Sequence, residues 1–148
     1  MSSAAPAGPG TPCELCAGPG GEAVWADDAL RVVRVDDADY PGFCRVIWND
    51  HVREMTDLRA DQRATLMAAV FAVEQAVRDV MAPDKINLAS LGNQTPHLHW
   101  HVIPRWRGDR HFPAPIWAAP RRASGTIPAH DWRERLKSAI VARLRAQA

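Results

Sequence analysis

His97-Leu98-His99-Trp100-His101-Val102-Ile103-Pro104-Arg105 decides how this chain is read. Histidine alternates with an apolar residue from His97 to Val102. Successive side chains of a strand change face, so His97, His99 and His101 share one face and Leu98, Trp100 and Val102 the other. A helical period would scatter the three imidazoles. Burying the apolar face fixes the register, because a slip of one residue would bury the rings instead. Pro104 has no N–H to donate and is expected to end the ladder. Alternate rings lie about 6.6–6.8 Å apart, and His97 to His101 spans about 13 Å. That is too far for all three to share one ion without a bend, given zinc–nitrogen bonds of about 2.0–2.1 Å, although two of them could. The row suits a larger anion, such as a phosphate and its neighbour in a polyphosphate. Imidazole is also a nucleophile, and near neutral pH it switches between donor and acceptor.

Working outward, Lys85 to Leu91 reads as a strand, and Gly92 to Pro96 as the turn that feeds the histidine strand. Before them, Ala60 to Met81 carries Leu66, Val70, Val73, Val77 and Val80 at steps of three and four. Met67, Phe71 and Met81 widen that stripe, Glu74 and Arg78 form an i, i+4 pair, and Pro83 stops the helix. Earlier still, Ala23–Trp25, Leu30–Val35 and Phe43–Trp48 read as strands, with turns at Asp27-Asp28 and Pro41-Gly42. The order predicts an α+β fold, an antiparallel sheet with one long helix packed on it. After Arg105 comes an irregular Pro/Trp/Arg-rich segment, 106–120. Asp131-Trp132-Arg133-Glu134 has the form of a capping box, and Trp132, Leu136, Ile140 and Leu144 predict an amphipathic C-terminal helix over about 132–145. Its stripe must cover the sheet, a second subunit or the rim of the site. Residues 1–12, rich in Ala, Pro, Gly and Ser, are expected to be disordered. The divisions are thus 1–12, a domain over 13–117, and an extension over 118–148.

A length of 148 residues with 24% charged residues fits one globular domain. The net charge of +1 argues against nucleic acid or an anionic membrane as partner, so anion recognition must be local. Three cysteines do not form a disulfide framework. With no membrane-spanning run and no secretory pattern at the start, a reducing cytosol is the expected setting. Cys44 reads as a buried small hydrophobe. Cys13-x-x-Cys16 admits three readings: a zinc half-site completed by histidines, two reduced thiols, or a redox pair, the last without its strand-then-helix setting. His111 and His130 read as solvated. Arg105, Arg107 and Arg110 are candidates for an outer phosphate, against solvation.

The motif His-x-His-x-His with two following apolar residues resembles the signature of the histidine triad (HIT) family. Gly92-Asn93 upstream and Pro104-Arg105 downstream resemble its nucleotide-hydrolysing members, and His101, where glutamine would mark the uridylyltransferase-like branch, fits the hydrolases. The resemblance runs from about Cys13 to Trp117. It implies that His99 attacks the α-phosphorus of a nucleoside 5′-monophosphoryl compound, a dinucleoside polyphosphate or a phosphoramidate, forming a nucleotidyl-histidine that water cleaves. His97 and His101 would bond phosphate oxygens, one of them delivering a proton; the sequence does not divide those roles. Asn93 or Gln94 would hold a phosphate oxygen, in place of the commoner Gly-Gln-Ser/Thr, and Asn87 is a further candidate. Trp25, Asp27, Val33 and Trp48 are candidates for the base and ribose cleft. The resemblance implies no cofactor for catalysis, a structural zinc on Cys13, Cys16, His51 and His97, and a homodimer. The alternatives are a nucleotidyltransferase or phosphorylase with the same intermediate, a non-catalytic nucleotide-binding protein, and a zinc protein.

Overall fold

The computed structural model describes residues 12–125 and 128–147. The expected disordered tail, 1–12, lies outside these except for Pro12. A single helical turn, α1 (Glu14–Ala17), precedes three strands, β1 (Glu22–Ala26), β2 (Leu30–Arg34) and β3 (Cys44–Trp48). A 3-10 turn at Met55–Asp57 leads into the long helix α2 (Ala60–Met81). Strands β4 (Lys85–Ala89) and β5 (His99–Arg105) and helix α3 (Trp132–Ala146) follow. The five strands form one antiparallel sheet in the order β1-β2-β3-β5-β4. The expected α+β architecture is present. No described helix is long and apolar enough to cross a membrane.

One sheet face is covered by α2 and α3. Val32, Val46, Trp48, Leu98 and Val102 pack there with Leu66, Val70, Val73 and Val77 in a single buried cluster. Trp132, Leu136, Ile140 and Leu144 belong to the same cluster, so the C-terminal stripe is spent on α2 and β1. Three expectations about the helices fail. Phe71 does not widen the buried stripe and is 54% exposed. Its place is taken by Ala69, Ala72 and Ala76, small residues that a count of bulky apolar positions passes over. Glu74–Arg78 is not among the ion pairs of the described residues; Asp79 instead takes Arg143 of α3 at 2.7 Å. Asp131 makes no capping hydrogen bond, because its φ of −100° and ψ of 14° lie outside the extended region that aims a cap side chain at the first turn.

Pro104 does not end the ladder: it pairs with Ile86, and β5 runs on to Arg105 opposite Lys85. The reason is which way its missing N–H faces. Trp48 N–H donates to the Leu98 carbonyl, so even-numbered residues of this stretch present their polar groups to β3. Pairing with β3 stops at Val102. Pro104 therefore faces a side with no ladder to break. At the same corner Gly42 has φ +92°, and a Cβ there would meet Met81 Cγ at 2.7 Å, so only glycine lets the turn pass under the end of α2.

The opposite face carries the histidines. The irregular segment after β5 is tied down on it by Asp109, which is fully buried. Asp109 accepts from Arg105 Nε (2.8 Å) and Nη2 (3.1 Å), Tyr40 Oη (3.1 Å) and the N–H groups of Trp106, His111 and Phe112. These hydrogen bonds outweigh the cost of burial and hold its carboxyl down at about 2. Asp109→Ala would leave the Arg105 guanidinium, itself 2% exposed, without its counter-charge. The expected loss is about 3–5 kcal/mol in urea unfolding. A loss under about 1 kcal/mol would show that the pair does not hold the segment.

Candidate active site

β3 and β5 pair with Ile47 opposite His99 and Arg45 opposite His101. His99 and His101 lie side by side on the open face, ring centroids 4.8 Å apart. His99 Nδ1 is 2.6 Å from the His97 carbonyl. An oxygen of that kind can only accept, so Nδ1 carries the proton and Nε2 keeps its lone pair. Burial holds the His99 ring below the usual imidazole range, which keeps that lone pair free at neutral pH. Ser90 Oγ, donating to the His99 carbonyl at 2.8 Å, fixes the backbone from the other side.

Burial, with the neighbouring His99 and Arg45 adding to it, pushes His101 down to about 3. An unfolded chain takes up a proton at this position near pH 6.5, whereas the folded one does not until near pH 3. Stability from this ring is therefore present above pH 6.5 and lost as pH falls. Between pH 6.5 and 4.5 the loss is about 2 kcal/mol. His101→Gln should remove it, flattening the pH dependence of the urea midpoint over that window. A variant with the parent's slope would rule this out.

His97 departs from the expected row of three. It precedes β5, because its N–H turns to Thr95 and the N–H of Leu98 to Val52. Its Nε2 donates to the Trp48 carbonyl at 2.6 Å. Nδ1, left with a lone pair, faces Cys13 Sγ at 3.3 Å and Cys16 Sγ at 3.5 Å. His51 Nδ1 lies 3.4 Å from Cys16 Sγ. The donor atoms of Cys13, Cys16, His51 and His97 all lie within 4.8 Å of one another. Sulfur and nitrogen donors around a tetrahedral ion stand about 3.5 Å apart, so this set fits a four-coordinate metal. With both ring nitrogens engaged, His97 is not placed to bond a phosphate at His99. What it presents to His99 is its carbonyl.

The cysteine turn is set over the sheet by Arg31, which donates to the carbonyls of Leu15 (2.5 Å), Gly18 (3.1 Å) and Pro19 (3.0 Å). Leu15 then packs on Val33 and Ile47. This opens a trough along the histidines. One cavity of about 370 Å³ is lined by Glu14, Leu15, Gly20, Arg45, Thr95 and His99. A second, of about 300 Å³, shares Arg45, Thr95 and His99 and continues past Asn93, Gln94 and His101 to Leu91 and Trp117. Asn93 and Gln94 thus line the same cavity as His99 and His101. Glu14, Arg45, Thr95 and Trp117 were not expected. Trp117, 5.2 Å from the His101 ring, sits twelve positions beyond the strand and is returned by the Asp109 anchor together with the Arg105 bond to the Ala114 carbonyl.

Other candidates lie elsewhere. Trp25 and Asp27 line a separate cavity with Thr65, Ala69 and Leu144 of the helices. Asp27 accepts from Ala29 and Leu30 N–H, as turn chemistry demands. Trp48 is in the core under α2, and only its carbonyl reaches the site. Val33, buried on the histidine face, forms the floor beneath Leu15. Asn87 Oδ1 is held by Arg105 Nη1 at 2.7 Å. Arg105 is structural, Arg107 N–H bonds Asp84, and Arg110 pairs with Asp39. His111 is not solvated as expected, because its Nδ1 meets Tyr40 Oη at 2.6 Å. His130 is exposed. Cys44 is fully buried, its thiol pushed up to about 12.

The model of the HIT domain family matches residues 21–108, which hold the whole sheet and the imidazoles. The chain belongs to the HIT family. A histidine triad protein of Bradyrhizobium japonicum superposes on this HIT protein with a TM-score of 0.69 at 27% identity, over 85% of this chain and 92% of its own. A zinc-bound histidine triad family protein of Mycobacterium smegmatis gives 0.59 at 20% identity, over 92% and 95%. An AP-4-A phosphorylase of Mycobacterium tuberculosis is 33% identical over 78 residues. That match takes in 49% of this chain and only 40% of the phosphorylase.

Proposed function

We propose that this HIT protein cleaves nucleoside 5′-monophosphoryl compounds at the α-phosphorus through a nucleotidyl-His99 intermediate. The observation that carries the reading is the His99 Nδ1 bond to the His97 carbonyl, which leaves Nε2 as a lone-pair nucleophile in an open trough. Nε2 attacks phosphorus in line, and the bond to the leaving group breaks with its electron pair. Asn93, Gln94 and the neutral His101 ring, which line the same cavity as His99, would bond the phosphoryl oxygens and the leaving group. Water then breaks the phosphorus–nitrogen bond, giving mononucleotide and releasing a proton. Family membership and the likeness to an AP-4-A phosphorylase support nucleotide handling.

Zinc is the ion we assign to Cys13, Cys16, His51 and His97. Four protein donors leave no open position, so the ion would supply structure and not Lewis-acid chemistry. These residues would join α1 to the histidine segment. A homodimer, the cytosol and partners other than nucleic acid or membrane complete the proposal.

The test uses diadenosine tetraphosphate and adenosine 5′-phosphoramidate. Label at the α-phosphate should be trapped on the wild-type protein and not on His99→Ala. In phosphate-free buffer the tetraphosphate should give AMP and ATP. A second reading, phosphorolysis, is favoured by the phosphorylase likeness. It requires added phosphate and gives ADP in place of AMP. Turnover without trapped label in either buffer would remove the intermediate from both readings.

A further inference from the structure

We propose that Arg45 is an anion clamp for a second phosphate next to the one attacked, so that the site selects substrates with consecutive phosphates. This rests on the reading of His99 as the nucleophile.

Arg45 is a cation in the middle of β3, on the face it shares with the imidazoles and opposite His101. Its guanidinium is only partly satisfied. Nη1 donates to the Gly20 carbonyl at 3.0 Å, and the Phe43 ring lies 5.8 Å from Cζ. Nε is buried with no hydrogen-bond partner. No carboxylate is within ion-pair distance of Arg45 among the described residues. The two buried arginines each have a carboxylate: Arg34 pairs with Glu22, and Arg105 has Asp109, an amide and a carbonyl. A half-buried guanidinium without a counter-charge is costly unless an anion arrives. Burial accordingly lowers its hold on the proton, and Glu14 offsets this only in part.

Position decides which anion. Arg45, Thr95 and His99 are the residues shared by the two cavities, so the guanidinium stands where they meet. A nucleotide with its α-phosphorus at His99 Nε2 sends one substituent into each. The first cavity carries the Glu14 carboxylate, its oxygen held by Thr95 Oγ1 at 2.6 Å. That end repels phosphate and accepts from hydroxyl or amino groups, which suits the nucleoside. The second cavity holds no carboxylate and adds Asn93 and Gln94, which suits a phosphate chain. The β-phosphate then falls beside Arg45. A phosphoramidate with an amine leaving group offers no such charge. Guanidinium–phosphate hydrogen bonds are among the stronger ones available to a protein.

The experiment compares binding of AMP and of α,β-methylene-ADP, which cannot be cleaved between its phosphates, by calorimetry. Wild type should bind the diphosphate analogue about 10-fold or more tighter than AMP. Arg45→Gln should reduce that ratio to about 2 or less, and Arg45→Lys, which keeps the charge but not the fork, should fall between them. In turnover, kcat/KM of Arg45→Gln on diadenosine tetraphosphate should drop about 10-fold more than on adenosine 5′-phosphoramidate. A wild-type ratio near one, a ratio that survives in Arg45→Gln, or equal losses on both substrates overturns the clamp. Equal losses are what a purely structural bond to Gly20 would give. If Arg45→Gln unfolds, Arg45→Lys alone decides through its ratio. The binding arm needs no catalysis, so His99→Ala with undiminished turnover would end the mechanism above and leave this result standing.

Discussion

His99→Ala is expected to lower the release of AMP from diadenosine tetraphosphate by about 10⁴-fold or more. Removing the nucleophile from a covalent mechanism takes the whole two-step path, not a fraction of one step. The fold should survive, because among the described residues the ring makes one hydrogen bond, to the His97 carbonyl, worth about 1 kcal/mol. The core lies on the other sheet face. The measurement is initial rate by chromatography, with circular dichroism to confirm the fold. His101→Gln should lose less, since in the proposed mechanism that ring forms no covalent bond. Residual activity of His99→Ala above a tenth of wild type would move the nucleophile elsewhere.

Metal removal should have the next largest effect. The purified chain is expected to hold one zinc, and Cys16→Ser or a strong chelator should release it. Where free metal stands at 1,000 times its dissociation constant, losing the site costs about 4 kcal/mol. In a chain of this size that lowers the melting temperature by about 10 °C. The sheet and its helices should remain, since their cluster includes none of the four donors. The loss belongs to α1, which otherwise rests on Arg31, the Thr95–Glu14 hydrogen bond and the small Leu15–Val33–Ile47 contact. Mass spectrometry under native conditions and calorimetry read both quantities. A protein with no bound zinc, and a melt indifferent to added zinc, would leave these residues as thiols and imidazoles only.

The fold was legible where period and punctuation agree. α2 spans the residues its stripe and Pro83 predict, and the alternation around His99 puts the right residues over the core. Pro104 misled because a missing N–H matters only if a strand faces it. Phe71 misled because bulk is a poor guide to a helix buried through alanines. In the site, His99, His101, Asn93 and Gln94 follow from one short motif. Arg45 and Trp117 do not, since the first needs the β3–β5 register and the second the anchor at Asp109. Trp25 and Trp48 lie away from the histidines because strands have two faces, and composition does not say which one a tryptophan takes; Asp27 is spent on its own turn.

His97 presents its imidazole to the cysteines and its peptide oxygen to His99. A substitution there deletes the first without touching the second. In the proposed reading, metal retention and the orientation of His99 are consequently separable by mutation, although one residue serves both. A lineage could exchange the four sulfur and nitrogen donors while the His99 ring stayed aimed by the same main-chain atom.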